Sequence, residues 1–171
     1  VAQGDGESNR DGKNYMVKSL FINGQITALA KTNQTVPLEN GPCMIAVVQD
    51  TQTNAAQLNS EDVFATAGAS GYAALLFRNL QYSKRFKVLW KQTYAFDSPP
   101  VSWDGTNMEI SGPKPISFNV AIPTLNMSCE TKGTSANVTD IINNSLHVIA
   151  FTGTTGYVPV LTYTARIRFV G

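Results

Sequence analysis

Arg78, Lys84, Arg85 and Lys87 fall inside the stretch "RNLQYSKRFKVLW", interleaved with Tyr82, Phe86 and Trp90, and Lys91 follows directly. Guanidinium and ammonium groups meet phosphates while aromatic rings stack on bases, so this mixture suits a single-stranded nucleic acid. A strand sends alternate side chains to opposite faces. On that geometry Phe86, Val88, Trp90, Tyr94 and Phe96 share a core face, and Lys87, Leu89, Lys91, Thr93 and Ala95 coat the other. Arg78, Lys84 and Arg85 precede the strand and are the stronger candidates for a nucleic-acid or intersubunit contact. Arg166 and Arg168, alternating with apolar residues in "ARIRF", can join the same surface, as can Lys18.

Other chemistry has little to work with. His147, the single histidine, sits in the apolar run "SLHVIAF" and reads as a sheet histidine satisfied by a hydrogen bond. A Ser-His-Asp arrangement would have to use it, and there is no G-x-S-x-G around any serine. Cys43 and Cys129 lack a metal or redox spacing and read as two thiols. Two cysteines and one histidine do not make the usual structural zinc site. Calcium-loop and phosphate-loop patterns are missing as well. No catalytic residue, cofactor or metal is therefore expected.

The elements that must carry these residues are strands. Hydrophobic residues are 43% of the 171-residue chain and charged residues only 15%, against about a quarter in ordinary soluble domains. Much of the surface must then be neutral polar or in contact with something. The formal net charge of +1 gives no global field to gather nucleic acid. No apolar run approaches the roughly eighteen residues of a membrane helix, so no membrane insertion is expected. Val1 to Lys13 reads as a flexible segment, with the folded domain spanning residues 14–171. "NYMVKSLFIN" and "GQITALAK" read as two extended pieces, "CMIAVVQD" as a strand covered on both faces, and "PISFNVAIP" as a half-buried strand. A helical turn capped by Ser60 interrupts a long excursion. "SLHVIAFTG" and "VLTYTARIRFV" read as a closing hairpin, and residues 32–42 and 98–113 as loops. The pattern is all-β with about eight strands: a sandwich, jelly roll or barrel.

The order of "VVQDTQTN", "SEDVF", "LLFRNLQYSKRFKVLWKQTYAF" and "NNSLHVIAFTGTTGYVPVLTYTARIRFV" resembles the capsid proteins of small circular single-stranded DNA viruses, the geminivirus and circovirus-like group. Their shells are in turn similar to that of satellite tobacco necrosis virus. The resemblance runs from Lys18 to Val170 and is carried most specifically by Asn79, Leu80, Arg85, Phe86, Val88 and Leu89. It implies a single eight-stranded jelly roll of two packed antiparallel four-stranded sheets with long loops. It also implies a homo-oligomeric icosahedral shell of about sixty copies enclosing single-stranded DNA, found in the virion and, during assembly, in the host nucleus. A basic amino-terminal arm is a further implication; Val1 to Lys13 is not basic, so such an arm is expected upstream. The competing expectation is a carbohydrate-binding β-sandwich using Trp90, Trp103 or Tyr157 as sugar platforms.

Overall fold

Several segments alternate apolar and polar residues at a period of two, and the described residues form eleven strands, one α-helical turn and a 3-10 turn at Val138–Asp140. In the computed structural model, residues 2–4, 9, 11–28, 31–34, 42–65, 77–96, 101–103, 105–106, 108–110, 114–135, 137–152 and 159–171 are described. The elements are β1 (Asn14–Ala28), β2 (Lys31–Gln34), β3 (Pro42–Asp50), α1 (Ser60–Val63), β4 (Phe86–Ala95), β5 (Val101–Trp103), β6 (Met108–Ile110), β7 (Ile116–Ile122), β8 (Met127–Thr131), β9 (Ile141–Asn143), β10 (Ser145–Thr152) and β11 (Pro159–Val170).

Eight of these strands form two antiparallel sheets, an all-β arrangement consistent with a jelly-roll sandwich. The strand nearest the amino terminus pairs with the last, β1 with β11, and in the other sheet β3 pairs with β10. This nested pairing is that of a long hairpin rolled on itself. The strands divide five and three, not four and four. β1 is 15 residues long, enough for β8 to pair along Asn14–Val17 and β7 along Leu20–Ile26 on the same edge. The opposing sheet has the order β10-β3-β4, and β2, β6 and β5 make a third, small sheet from segments whose prolines and glycines suggest loops.

Two sequence expectations change here. "NYMVKSLFIN" and "GQITALAK" are one strand, because Gly24 does not break β1 but makes room for a ring. A Cβ on Gly24 would lie 2.4 Å from Phe118 Cζ and 2.9 Å from the Thr162 carbonyl oxygen. β10 and β11 do not form a hairpin either, since each pairs in a different sheet.

The core lies between the sheets. Leu20, Ile22 and Ile26 of β1 and Phe118 and Val120 of β7 meet Cys43, Ile45 and Val47 of β3. Phe118 is the link across the layers, its ring 6.3 Å from Trp90 and 6.2 Å from Tyr94 of β4. The other face of β3 is covered too, as its two-faced apolar sequence requires. Met44, Ala46 and Val48 pack under Val63 and Phe64, with Phe86 and Ile149 beside them. Each such aliphatic side chain stabilises the fold by about 1.5–3 kcal/mol through burial. The excursion after β3 is held there by α1, whose first turn is capped by Asn59 and not Ser60: Glu61 N donates to Asn59 Oδ1 at 3.3 Å. Near the amino terminus, Gln3 N donates to the Thr134 carbonyl at 2.9 Å, so this part of the leading segment lies against the domain.

Candidate nucleic-acid interface

Residues 80–85 turn the chain into β4, with Arg85 N and Phe86 N both donating to the Tyr82 carbonyl at 3.0 Å. That turn aims Arg85 at the end of β3, where Asp50 is fully buried. Arg85 Nε and Nη2 donate to Asp50 Oδ1 and Oδ2, each at 2.9 Å, a bidentate pair. The hydrogen bonds to Asp50 raise the guanidinium's already high pKa further. Thr51 completes the staple, its N and Oγ1 donating to the Arg85 carbonyl at 3.0 and 2.9 Å. Arg78 is spent locally as well: its Nη2 donates to the Ser83 carbonyl at 2.6 Å and to the Phe86 carbonyl. Two of the strongest sequence candidates are therefore structural cations. Lys84 stays exposed on the turn, and earlier in the chain Phe77 and Leu80 are 86% and 79% exposed.

Lys87 and Lys91 do not share a face. The β3–β4 register shifts between Val47 and Val48, and Leu89 is the extra residue. Asp50 pairs with Phe86 and Val48 with Val88 under the excursion, while Val47 pairs with Trp90 and Cys43 with Tyr94 facing the opposite sheet. Lys87 thus lies on the side of Gln49 and Leu146, and Lys91 on the other, its Nζ 5.8 Å from the Phe64 ring centroid. Trp90 is turned inward and stacked on Phe118 with an interplanar angle of 23°, a poor platform for a sugar. The Trp103 side chain and Tyr157 lie outside the described residues.

The remaining candidates meet on the outer face of the five-stranded sheet. A second register shift, between Val17 and Ser19, makes Lys18 a bulge, the irregularity that re-aims side chains at sheet positions. Ahead of it Tyr15 and Val17 point to the core, and after it Leu20, Ile22 and Ile26 do. Lys18 Nζ reaches Met16 Sδ at 2.9 Å and Asn126 Oδ1 at 3.3 Å. Ser19 pairs with Arg168, Phe21 with Arg166 and Asn23 with Thr164, which puts both arginines on that outward face. Among the described residues neither arginine has an ion-pair partner; the single salt bridge is Arg85 to Asp50.

No protein-family model matches the chain, and no curated protein sequence is similar to it.

A polar chain runs inward from His147 that the sequence did not signal. His147 Nε2 lies 2.6 Å from Ser145 Oγ, and Thr53 Oγ1 donates to Ser145 Oγ at 2.7 Å. Burial lowers the histidine's pKa, Asp50 opposes that and Arg85 adds to it. The Ser-His contact is not set up for nucleophilic attack. Ser145 is buried, and the Asp50 carboxylate is committed to Arg85 and to Gln52 N at 2.9 Å. The histidine is satisfied by a hydrogen bond inside the sheet, as its setting in the sequence suggested. Among the described residues no group of three His, Cys, Asp or Glu side chains is placed to hold a metal ion. Cys43 and Cys129 are free and buried, and burial pushes the Cys129 thiol up to about 11.

Proposed function

We propose that the chain is a structural, non-catalytic capsid subunit that assembles with copies of itself into a closed icosahedral shell around single-stranded DNA. The observation that carries the assembly part is the surface. Only 15% of the residues are charged, and Phe77 and Leu80 stand 86% and 79% exposed beside Tyr82. Large apolar side chains this exposed, on a chain poor in charge overall, support contact with another protein. The nested strand order, consistent with a jelly-roll sandwich, supports the same reading. The resemblance to capsid proteins of small circular single-stranded DNA viruses, carried by Asn79 to Leu89, supplies the kind of assembly and the genome.

Light scattering and negative-stain microscopy of the purified protein test the reading. Closed particles of uniform diameter are expected. A monodisperse monomer at high concentration, with any upstream arm included, would sink it.

A further inference from the structure

We infer that the outer face of the five-stranded sheet, and not the basic turn before β4, binds single-stranded nucleic acid, with Arg166, Arg168 and Lys18 on phosphates and Phe21 under a base. The identity of the ligand rests on the reading of the chain as a shell around single-stranded DNA; the placement rests on the sheet geometry.

Four features point to this face. Arg166 and Arg168 are two residues apart on β11, so they project on one side about 6.8 Å from each other, comparable to the repeat of phosphates along an extended nucleotide chain. Lys18 stands at the bulge beside Ser19, whose partner across the strands is Arg168, with its Nζ held near Met16 Sδ and Asn126 Oδ1. Phe21 is 39% exposed on the same face, directly opposite Arg166 and with only Ala121 on its other flank. A ring exposed on a sheet beside cations is a stacking platform of the sequence-tolerant kind. Finally, a depression of about 410 Å³ is lined by Phe21, Asn23, Thr164, Ala165 and Arg166, large enough to seat a nucleobase with amide and hydroxyl groups at its edge.

The charge pattern agrees. Among the described residues of this face the acid is Glu130, paired with Asn14 at the far end of β1. Seven positions of strand, roughly 23 Å, separate Asn14 from Phe21. Glu130 also accepts a hydrogen bond from Asn143 Nδ2 at 3.1 Å. The basic turn offers no such surface, since Arg85 and Arg78 are already committed.

Fluorescence anisotropy with a labelled single-stranded oligothymidine and a duplex of equal length tests the inference, with folding of each variant checked by circular dichroism. Arg166→Ala with Arg168→Ala is expected to weaken single-strand binding about tenfold or more and to reduce the salt slope by about 1.4. Phe21→Ala is expected to weaken it by roughly 5- to 150-fold with the salt slope unchanged. Lys84→Ala should leave affinity as it is. Unchanged binding in the arginine double variant overturns the inference. So does a duplex bound as tightly as the single strand with Phe21→Ala silent, which would mark a general polyanion surface. Particle formation is scored separately. Particles without the arginine effect refute this placement alone, whereas a monomer that shows both the arginine and Phe21 effects refutes the shell and keeps the site.

Discussion

Replacing Arg85 by alanine separates a structural cation from a ligand contact. Asp50 is fully buried, and the Arg85 side chain that neutralises it is 29% exposed. Without Arg85 the carboxylate keeps only the Gln52 N–H at 2.9 Å. Removing one partner of a buried pair costs about 3–5 kcal/mol because the other charge is left uncompensated. Water can follow along the exposed flank of Arg85, so the lower end applies, about 3 kcal/mol. At 2–4 °C per kcal/mol for a chain of this size, the melting temperature should fall by about 6–12 °C. Asp50→Asn should cost less, about 1–2 kcal/mol, since its amide oxygen still accepts from Gln52 N and Arg85 is free to turn to water. Asp50→Asn combined with Arg85→Ala should cost less than the sum of the separate changes, by about 2 kcal/mol. Urea unfolding followed by circular dichroism measures all four proteins. If Arg85→Ala costs under about 1 kcal/mol, or the two changes add within about 0.5 kcal/mol, the pair does not staple β3 to β4.

Three further outcomes follow from the core and its polar chain. Gly24→Ala puts a methyl 2.4 Å from Phe118 Cζ and should destabilise by about 1–3 kcal/mol, with part of the loss recovered by adding Phe118→Leu; a variant as stable as the parent would mean that the ring does not lie over Gly24. His147 in the folded chain holds a proton less readily than the unfolded one, whose imidazole titrates near 6.5. Its contribution is therefore complete above that value and is lost as pH falls through the lowered native pKa. The urea midpoint should drop on acidification, and His147→Gln should flatten that drop; parallel slopes would contradict the assignment. Because burial raises both thiols and only the thiolate reacts, Cys43 and Cys129 should resist a disulfide reagent in native protein and react together on unfolding. Fast labelling of either thiol without denaturant would contradict their placement in the core.

Alternation made the strands legible but not their faces. β7 buries Phe118 and Val120 and exposes Ser117, Asn119 and Ala121, as its sequence reads. β4 looks equally regular, yet the bulge at Leu89 turns Phe86 and Val88 to one side and Trp90 and Tyr94 to the other. The residues at the slip, Val88, Leu89 and Trp90, are all apolar, so it leaves no mark in the pattern. Arg166 and Arg168 were legible because their neighbours Ala165 and Ile167 alternate with them. The commitment of Arg85 was not, since Asp50 lies thirty-five residues earlier and only the fold brings the end of β3 to the turn before β4. Phe21 was hidden for another reason. In "SLFIN" it reads as one more strand residue, and its exposure follows from its place opposite Arg166, with only the small Ala121 on its other flank.

The pairing of β1 with β11 also sets an order of events during synthesis. Residues 14–28 wait for residues 159–170, and β3 waits for β10, so the sheets close through contacts that span almost the whole chain. Such long-range pairing makes folding slow, on the scale of milliseconds to seconds. Lys18 leaves the ribosome early, but Arg166 and Arg168 take their places beside it only when the last strand is released. A nascent chain therefore carries scattered cations and no basic face. The basic face exists only once β11 has been made and has paired with β1, a timing built into the topology.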